Sequence, residues 1–147
     1  MMRELLALSK ARLCMMVVVT TLVGYLLAVP AVDWAVLAAT LLGTTLTAFG
    51  ANALNQYRER DVDRLMHRTR QRPLPAGRLH PLTALVYGIG VSMLGTFMLL
   101  AWAGPLPAAI AAGTVLLYVL VYTPLKRVST LNTLVGALCG ALPPLIG

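Results

Sequence analysis

The run WAVLAATLLGTTLTAFGANAL, Trp34 to Leu54, decides the fold of this chain, because its 21 residues carry no charge. A helix of about 20 apolar residues is long enough to cross the hydrocarbon core of a bilayer. Three further uncharged runs have a similar character: Leu13 to Val29, Leu82 to Ala103 and Leu106 to Tyr122. A fifth run, Leu131 to Gly147, begins in the same way but contains Pro143 and Pro144.

The composition indicates a membrane protein rather than a soluble domain. Hydrophobic residues make up 59% of the 147 positions, charged residues only 12%, and the mean hydropathy is +0.80. Soluble domains carry about 25% charged residues. The sequence therefore predicts an all-α, multi-pass transmembrane helical bundle with four full spans and a partial fifth, forming one membrane domain over residues 1–147.

The basic residues are placed on one side of these spans. The net charge is +7, and all twelve Lys and Arg fall before the first run, between the second and third, or after the fourth. Loops with excess Lys and Arg remain in the cytoplasm. The pattern predicts a cytoplasmic N-terminus and two cytoplasmic loops, and it explains the charge without a nucleic-acid partner.

The stretch NQYRERDVDRLMHRTRQRPL, Asn55 to Leu74, interleaves acids with arginines directly after the second run. Its first part can continue the helix to about Thr69, before Pro73 ends it. Asn55, Glu59 and Asp63 are spaced by four, so they share one helix stripe, whereas Asp61 points elsewhere. One amide and two carboxylates are oxygen ligands of the kind Mg²⁺ prefers.

Arginines follow the acids at the same spacing. Arg64, Arg68 and Arg72 repeat at four, and guanidinium groups suit bidentate contact with phosphate. Metal-binding acids beside phosphate-binding arginines describe a diphosphate site. Two other interpretations stay open: a solvated helix with i,i+4 ion pairs, and arginines that serve topology alone.

Three stretches together resemble a known family. NALNQYRERDVDRLMHRTRQRPLPAGRL, Asn52 to Leu79, resembles the first aspartate-rich motif of the UbiA-type intramembrane prenyltransferases, and its DRLMHRTRQRPL portion resembles their protohaem IX farnesyltransferase (haem O synthase) branch. LSKARLCMMVVVTTLVGYLLA, from Leu8, is similar to the family's first helix. YTPLKRVSTLNTLVGALCGALPPLIG, from Tyr122, is similar to its fourth loop and fifth helix.

The resemblance implies roles for particular residues. Asn55, Glu59 and Asp63 match the metal-diphosphate ligands, which implies Mg²⁺ as the cofactor. Diphosphate binding is implied for the residues of the RT-x-x-RP and YT-x-x-KR elements: Arg68, Arg72, Lys126 and Arg127. The implied reaction transfers a farnesyl group from farnesyl diphosphate to protohaem IX, giving haem O, in the bacterial inner membrane with the active-site loops in the cytoplasm. The implied partners are membrane lipid and either a complementing C-terminal half or terminal-oxidase assembly proteins.

The sequence departs from the family pattern at two points. Ala11 replaces the proline of a Lys-Pro-Arg element, and no Asp or Glu follows Asp63, so a second aspartate-rich motif is missing. We therefore expect the chain to be the N-terminal half of the enzyme. Two alternatives remain: an aromatic prenyltransferase of quinone biosynthesis, which tends to have an acid where this chain has Gln56, and a non-catalytic membrane subunit that binds anionic lipid.

Several other reactive or aromatic residues have simpler interpretations. We expect the loop histidines to be solvated, the tyrosines to lie in the interfacial belt and the cysteines to serve packing. These residues are His67, His80, Tyr57, Tyr118, Tyr122, Cys14 and Cys139.

Overall fold

The computed structural model describes residues 2–126 and 129–147, and these residues form helices and turns without any β-strand. The helices are α1 (Met2–Ser9), α2 (Ala11–Ala28), α3 (Trp34–Asp63), α4 (Pro81–Trp102), α5 (Pro105–Leu125) and α6 (Asn132–Ala141), followed by a 3₁₀ turn at Pro143–Leu145. The all-α class is therefore confirmed.

Among the described residues, three helices are long and apolar enough to cross a membrane: α3, α4 and α5. The first predicted span lies in α2, which meets the same criteria only when it is taken together with α1 across a break near Lys10. The predicted partial fifth span is the short helix α6 and its 3₁₀ turn. Four full spans and a cytoplasmic N-terminus stay predictions.

Small residues bring α3 and α4 into close contact. In lipid, helices associate mainly through van der Waals packing, which small side chains allow by letting backbones approach. A Cβ atom added at Gly95 of α4 would lie 2.5 Å from the carbonyl oxygen of Gly43 and 2.7 Å from the amide nitrogen of Thr47 in α3. Only glycine fits at this crossing, so Gly95 fixes the distance between the two helices.

The helix α3 ends at Asp63, earlier than the predicted end near Thr69. The Thr69 hydroxyl donates to the Asp63 carbonyl at 3.0 Å, which satisfies one of the unpaired carbonyls at the helix end. The following loop folds back over α3 because Leu74 and Leu79 are buried against Leu8. Arg64 and Arg68, which the sequence predicts to lie on the extended helix, therefore lie in the loop after α3 together with Arg72.

The helix α5 contains a π-helical segment, Leu117–Tyr122, directly before Pro124. In a π-helix each carbonyl accepts from the amide five residues later, which for Val119 is Pro124. Because proline has no amide hydrogen, the Val119 carbonyl has no donor within the helix. Arg58 of α3 supplies the missing donor through Nη1 at 3.1 Å. The contact ties the middle of α5 to the end of α3, where the predicted site residues lie.

The end of the chain packs against α2. The Thr21 hydroxyl lies 3.1 Å from the Pro143 carbonyl oxygen and can donate to it. The 3₁₀ turn thereby closes the space between α2 and α5, with Ile146 buried beside Ala108 and Ala111 of α5.

Candidate diphosphate site

Three polar side chains of α3 are buried on one face at its end. Asn55, Glu59 and Asp63 are only 2%, 4% and 4% exposed, whereas the side chain of Asp61 is 69% exposed. Their i,i+4 spacing accounts for the shared face. All three line one cavity of about 430 Å³, so the structure brings the proposed metal ligands together and leaves Asp61 in solvent.

The cavity also collects the predicted cations. Arg68 and Arg72 reach it from the loop after α3, and Lys126 reaches it from the end of α5. Arg127 lies outside the residues that the structure describes. Six of the seven predicted site residues therefore surround one cavity, although Arg68 reaches it from the loop and not from the predicted helix.

Each buried carboxylate has a cationic partner. Arg72 Nη1 donates to Asp63 Oδ2 at 2.6 Å, and Lys126 pairs with Glu59 Oε1. A buried charge is tolerated only when it is paired or hydrogen-bonded, so these pairs allow two buried carboxylates to share one cavity. The same cations are placed to contact an anion that enters it.

Thr123 holds the Asn55 amide in place. Its hydroxyl lies 2.8 Å from Asn55 Oδ1 and also 2.8 Å from the Tyr118 carbonyl, so one proton is shared between two acceptors. Asn55 Nδ2 in turn donates to Glu59 Oε2 at 3.0 Å. Thr123 belongs to the YT-x-x-KR element, but its contact with Asn55 is not predictable from the sequence, because the two residues lie on helices that are distant in the chain.

Lys10 is a second residue for which the sequence predicts no role at the site, although it is the lysine of the Lys-Pro-Arg element. It lies at the break between α1 and α2, outside the three candidate spans, and lines the same cavity. Burial lowers the pKa of Lys10, the Arg72 cation lowers it further, and the Glu59 carboxylate opposes the shift. The ammonium group therefore faces the charged cluster.

Two tyrosines of α5 line the cavity. Tyr118 and Tyr122 stack with ring centroids 5.3 Å apart, and both line the charged cavity and a second, apolar one of about 300 Å³. The apolar cavity lies between α2, α3, α5 and α6, with Val17, Ala51 and Ile146 among its lining residues. The π-helical segment carries both residues, and the belt interpretation stays a prediction.

The remaining candidates lie away from the site. Tyr57 packs against the core and contacts Arg60, whose guanidinium carbon is 4.6 Å from the ring centroid. His67 and His80 are exposed in the loop, as expected for solvated side chains. Cys14 is buried and Cys139 half-buried, and neither forms a disulfide in the described part of the chain.

The donor set suits Mg²⁺ better than a metal that needs many protein ligands. Within residues 2–126 and 129–147, no three His, Cys, Asp or Glu side chains are grouped as a metal site. Asn55, Glu59 and Asp63 offer one amide and two carboxylates in a single cavity. Mg²⁺ is commonly held by one or two carboxylates, with substrate phosphates and water as the other ligands, so the residues fit this ion.

Comparison with known proteins gives the family. Residues 17–147 match the family model of the UbiA prenyltransferase family. The chain belongs to the UbiA prenyltransferase family. No solved structure matches this UbiA chain.

Curated relatives of this UbiA chain include three proteins named protoheme IX farnesyltransferase. The Anaeromyxobacter sp. (strain Fw109-5) protein is 49% identical over 99% of the chain and 49% of its own length. The Sorangium cellulosum protein is 55% identical over 80% of the chain and 42% of its own length. The mitochondrial protein of Homo sapiens is 41% identical over 95% of the chain and 32% of its own length. The chain thus spans about half the length of the bacterial relatives, or less.

Proposed function

We propose that the complete protein transfers a farnesyl group from farnesyl diphosphate to protohaem IX and so forms haem O. The relatives named above support the two substrates. The observation that carries the proposal is the burial of Glu59 and Asp63 in a cavity that also contains Arg72. An isolated solvated helix would expose these acids, so the alternative of a purely i,i+4-paired helix does not account for them.

In this proposal the charged cavity binds the diphosphate and the apolar cavity binds the farnesyl chain. Tyr118 and Tyr122 line both cavities, so their rings lie where the diphosphate and the chain would join. Apolar walls exclude water from an allylic cation, and the tyrosine rings can stabilise its charge. The volumes of about 300 and 430 Å³ lie in the range of small-molecule sites.

We propose Mg²⁺ as the cofactor, held by Asn55, Glu59 and Asp63. Bound Mg²⁺ would neutralise negative charge on the departing diphosphate. Arg68, Arg72, Lys126 and Arg127 would bind phosphate oxygens and stabilise the same charge. The allylic C–O bond would break with its electron pair on the diphosphate, and the vinyl group of the haem would donate its π electrons to the farnesyl cation, which leaves the positive charge on the other vinyl carbon. Water would then add to that carbon and release a proton, which gives the hydroxyl group of haem O.

We also propose that the site faces the cytoplasm from the bacterial inner membrane, with four spans and a partial fifth. The support is the one-sided distribution of Lys and Arg around the apolar runs. Membrane lipid is then a partner of the exposed apolar faces, and the remaining partners are a complementing C-terminal half or terminal-oxidase assembly proteins.

The test measures binding of a non-reactive farnesyl diphosphate analogue to the purified protein in nanodiscs, with and without Mg²⁺. We expect binding that depends on Mg²⁺ and that Asp63→Asn weakens at least about tenfold. Loss of a residue that only orients a metal ligand already lowers metal affinity by about that factor. Asp61→Asn is the matched control, because this acid is exposed and should not change the affinity.

The outcome separates the enzyme from the two alternatives. Metal-independent binding that Asp63→Asn leaves unchanged would refute the diphosphate site and favour a lipid-binding subunit. Loss of a quinone rather than of haem O, in membranes from cells that lack the gene, would instead indicate an aromatic acceptor.

A further inference from the structure

Lys10 adopts a strained backbone conformation where it faces the charged cavity. Its φ of +48° and ψ of +58° lie in the left-handed region, and it is the only non-glycine residue with positive φ in the described part of the chain. This conformation costs energy for any residue with a Cβ atom. Such strain persists only where the surroundings hold it, and it concentrates at binding sites.

Buried polar side chains of α3 hold this break in place. Gln56, which is 1% exposed, donates through Nε2 to the Leu8 carbonyl at 2.9 Å. One turn earlier, Asn52 Nδ2 lies 3.3 Å from Cys14 Sγ, and the Cys14 thiol donates to the Ser9 carbonyl at 3.2 Å. Two terminal carbonyls of α1 are thereby satisfied by groups outside that helix, which lets the chain turn sharply at Lys10.

The cavity has more positive than negative charge. Among the described residues, four cations line it, Lys10, Arg68, Arg72 and Lys126, against the two carboxylates Glu59 and Asp63. Arg72 and Lys126 already pair with these carboxylates. No carboxylate of the described residues lies within the 4.0 Å ion-pair distance of Lys10. Lys10 is therefore a half-buried cation whose natural partner is an anion from outside the chain.

We propose that Lys10 binds a phosphate group of the diphosphate substrate and that Gln56 is the positioning residue that aims it into the cavity. The inference rests on the proposed function, since it adds a diphosphate contact to the same site. A glutamine suits position 56 because its amide donates to the end of α1, where a carboxylate would face the carbonyl oxygens of Ala7 and Leu8.

Titration of inorganic diphosphate, in the presence of Mg²⁺, into the purified protein in nanodiscs tests the role of Lys10. A hydrogen bond from a charged donor is worth enough to change affinity about tenfold or more, so Lys10→Gln should weaken binding by that factor. Arg12→Gln is the control, because it also removes one positive charge. Arg12 lies two residues after Lys10, but its side chain is exposed and does not line the cavity. Equal affinities for the two variants would overturn the inference.

Lys10→Gly separates binding from folding. Glycine adopts positive φ without strain, so this variant should unfold at a temperature roughly 2–4 °C higher while it binds diphosphate as weakly as Lys10→Gln. A lysine with only a structural role would leave binding unchanged, which would contradict the proposal.

A double-mutant cycle tests the role of Gln56. Gln56→Met should weaken diphosphate binding by itself and add little to Lys10→Gln, because both changes remove the same contact. Fully additive losses would refute the positioning role. If the wild-type protein does not bind diphosphate at all, the proposed function itself fails. If the wild-type protein binds diphosphate and the Lys10 variants bind it as well as Arg12→Gln does, the role of Lys10 is refuted and the proposed function stands.

Discussion

At the scale of single residues, Thr123 decides how Asn55 presents its amide to the cavity. Its hydroxyl donates to Asn55 Oδ1, and Asn55 Nδ2 donates to Glu59. Thr123→Val removes this donor with little change of shape and should weaken Mg²⁺-dependent binding of the diphosphate analogue roughly 3- to 10-fold, the value of one neutral hydrogen bond. Binding is measured by calorimetry in nanodiscs.

The control for Thr123 is a threonine with no partner outside its own helix. The Thr45 hydroxyl donates only to the Leu41 carbonyl within α3, so Thr45→Val should leave binding unchanged. Thr123→Ser keeps the hydroxyl and should restore most of the affinity. If Thr123→Val bound the analogue as well as the wild-type protein, the orientation of Asn55 would not depend on this bond.

Residue-level prediction from the sequence succeeded where the pattern lies within one helix. The spacing of Asn55, Glu59 and Asp63 is enough to place them on one face, because the helical period fixes side-chain direction. Lys10 and Thr123 reach the same cavity from other segments, and no local period links them to it. Both residues belong to elements that resemble the family, the Lys-Pro-Arg and YT-x-x-KR elements, but these elements do not show which residues they contact.

At the scale of helices, the crossing of α3 and α4 depends on Gly95. A methyl group there would meet backbone atoms of Gly43 and Thr47, which cannot rotate away. We expect Gly95→Ala to destabilise the protein by about 1–3 kcal/mol, the usual cost of overpacking. Thermal unfolding in detergent measures the change.

The control for Gly95 lies on the same helix. A Cβ atom at Gly90 would meet nothing within 4 Å, and Gly90 is exposed. Gly90→Ala should therefore be neutral or stabilise the protein by about 0.5–1 kcal/mol, because alanine loses less backbone entropy. Equal unfolding temperatures for Gly95→Ala and Gly90→Ala would show that the crossing is looser than the structure indicates.

Helix ends and irregular windings were the elements that the sequence predicted least well. The length of the uncharged runs placed α3, α4 and α5, because a helix must be long and apolar to cross the hydrocarbon layer. It could not show that α3 ends at Asp63, where the Thr69 hydroxyl and buried Leu74 redirect the chain. The local signal for the π-helical segment is Pro124, which follows it after Thr123. A proline also kinks an ordinary α-helix, so it does not by itself predict a π-helical segment.

At the scale of the whole molecule, the one-sided charge distribution predicts which loops face the cytoplasm. With Cys139 replaced by alanine and Cys14 buried, a cysteine introduced at exposed His67 should react with a membrane-impermeant maleimide only in inverted vesicles. A cysteine at exposed Ala31, in the loop between α2 and α3, should react only from the outer face. Labelling of both positions from one side would contradict the predicted topology.

The ion pairs of the cavity link the binding of metal and diphosphate across the molecule. Arg72 and Lys126 neutralise Asp63 and Glu59 in the structure, so Mg²⁺ alone meets carboxylates that are already paired with cations. A diphosphate draws these cations to its own oxygens and adds ligands for the metal. Each ligand should therefore raise the affinity for the other by the same factor, typically 5- to 150-fold for coupled sites.

Arg72→Gln tests this linkage at one of the two ion pairs. Removal of the guanidinium frees Asp63, so the variant should bind Mg²⁺ alone more tightly than the wild-type protein but gain less affinity when diphosphate is added. Arg70→Gln removes the same charge from an exposed side chain of the same loop and should change neither value. The measurement is calorimetric titration of Mg²⁺, with and without the farnesyl diphosphate analogue, corrected for the complex that metal and analogue form in solution. Equal Mg²⁺ affinities of the wild-type protein under both conditions would show that the paired cations do not compete with the metal, and the carboxylates would then need another explanation for their burial.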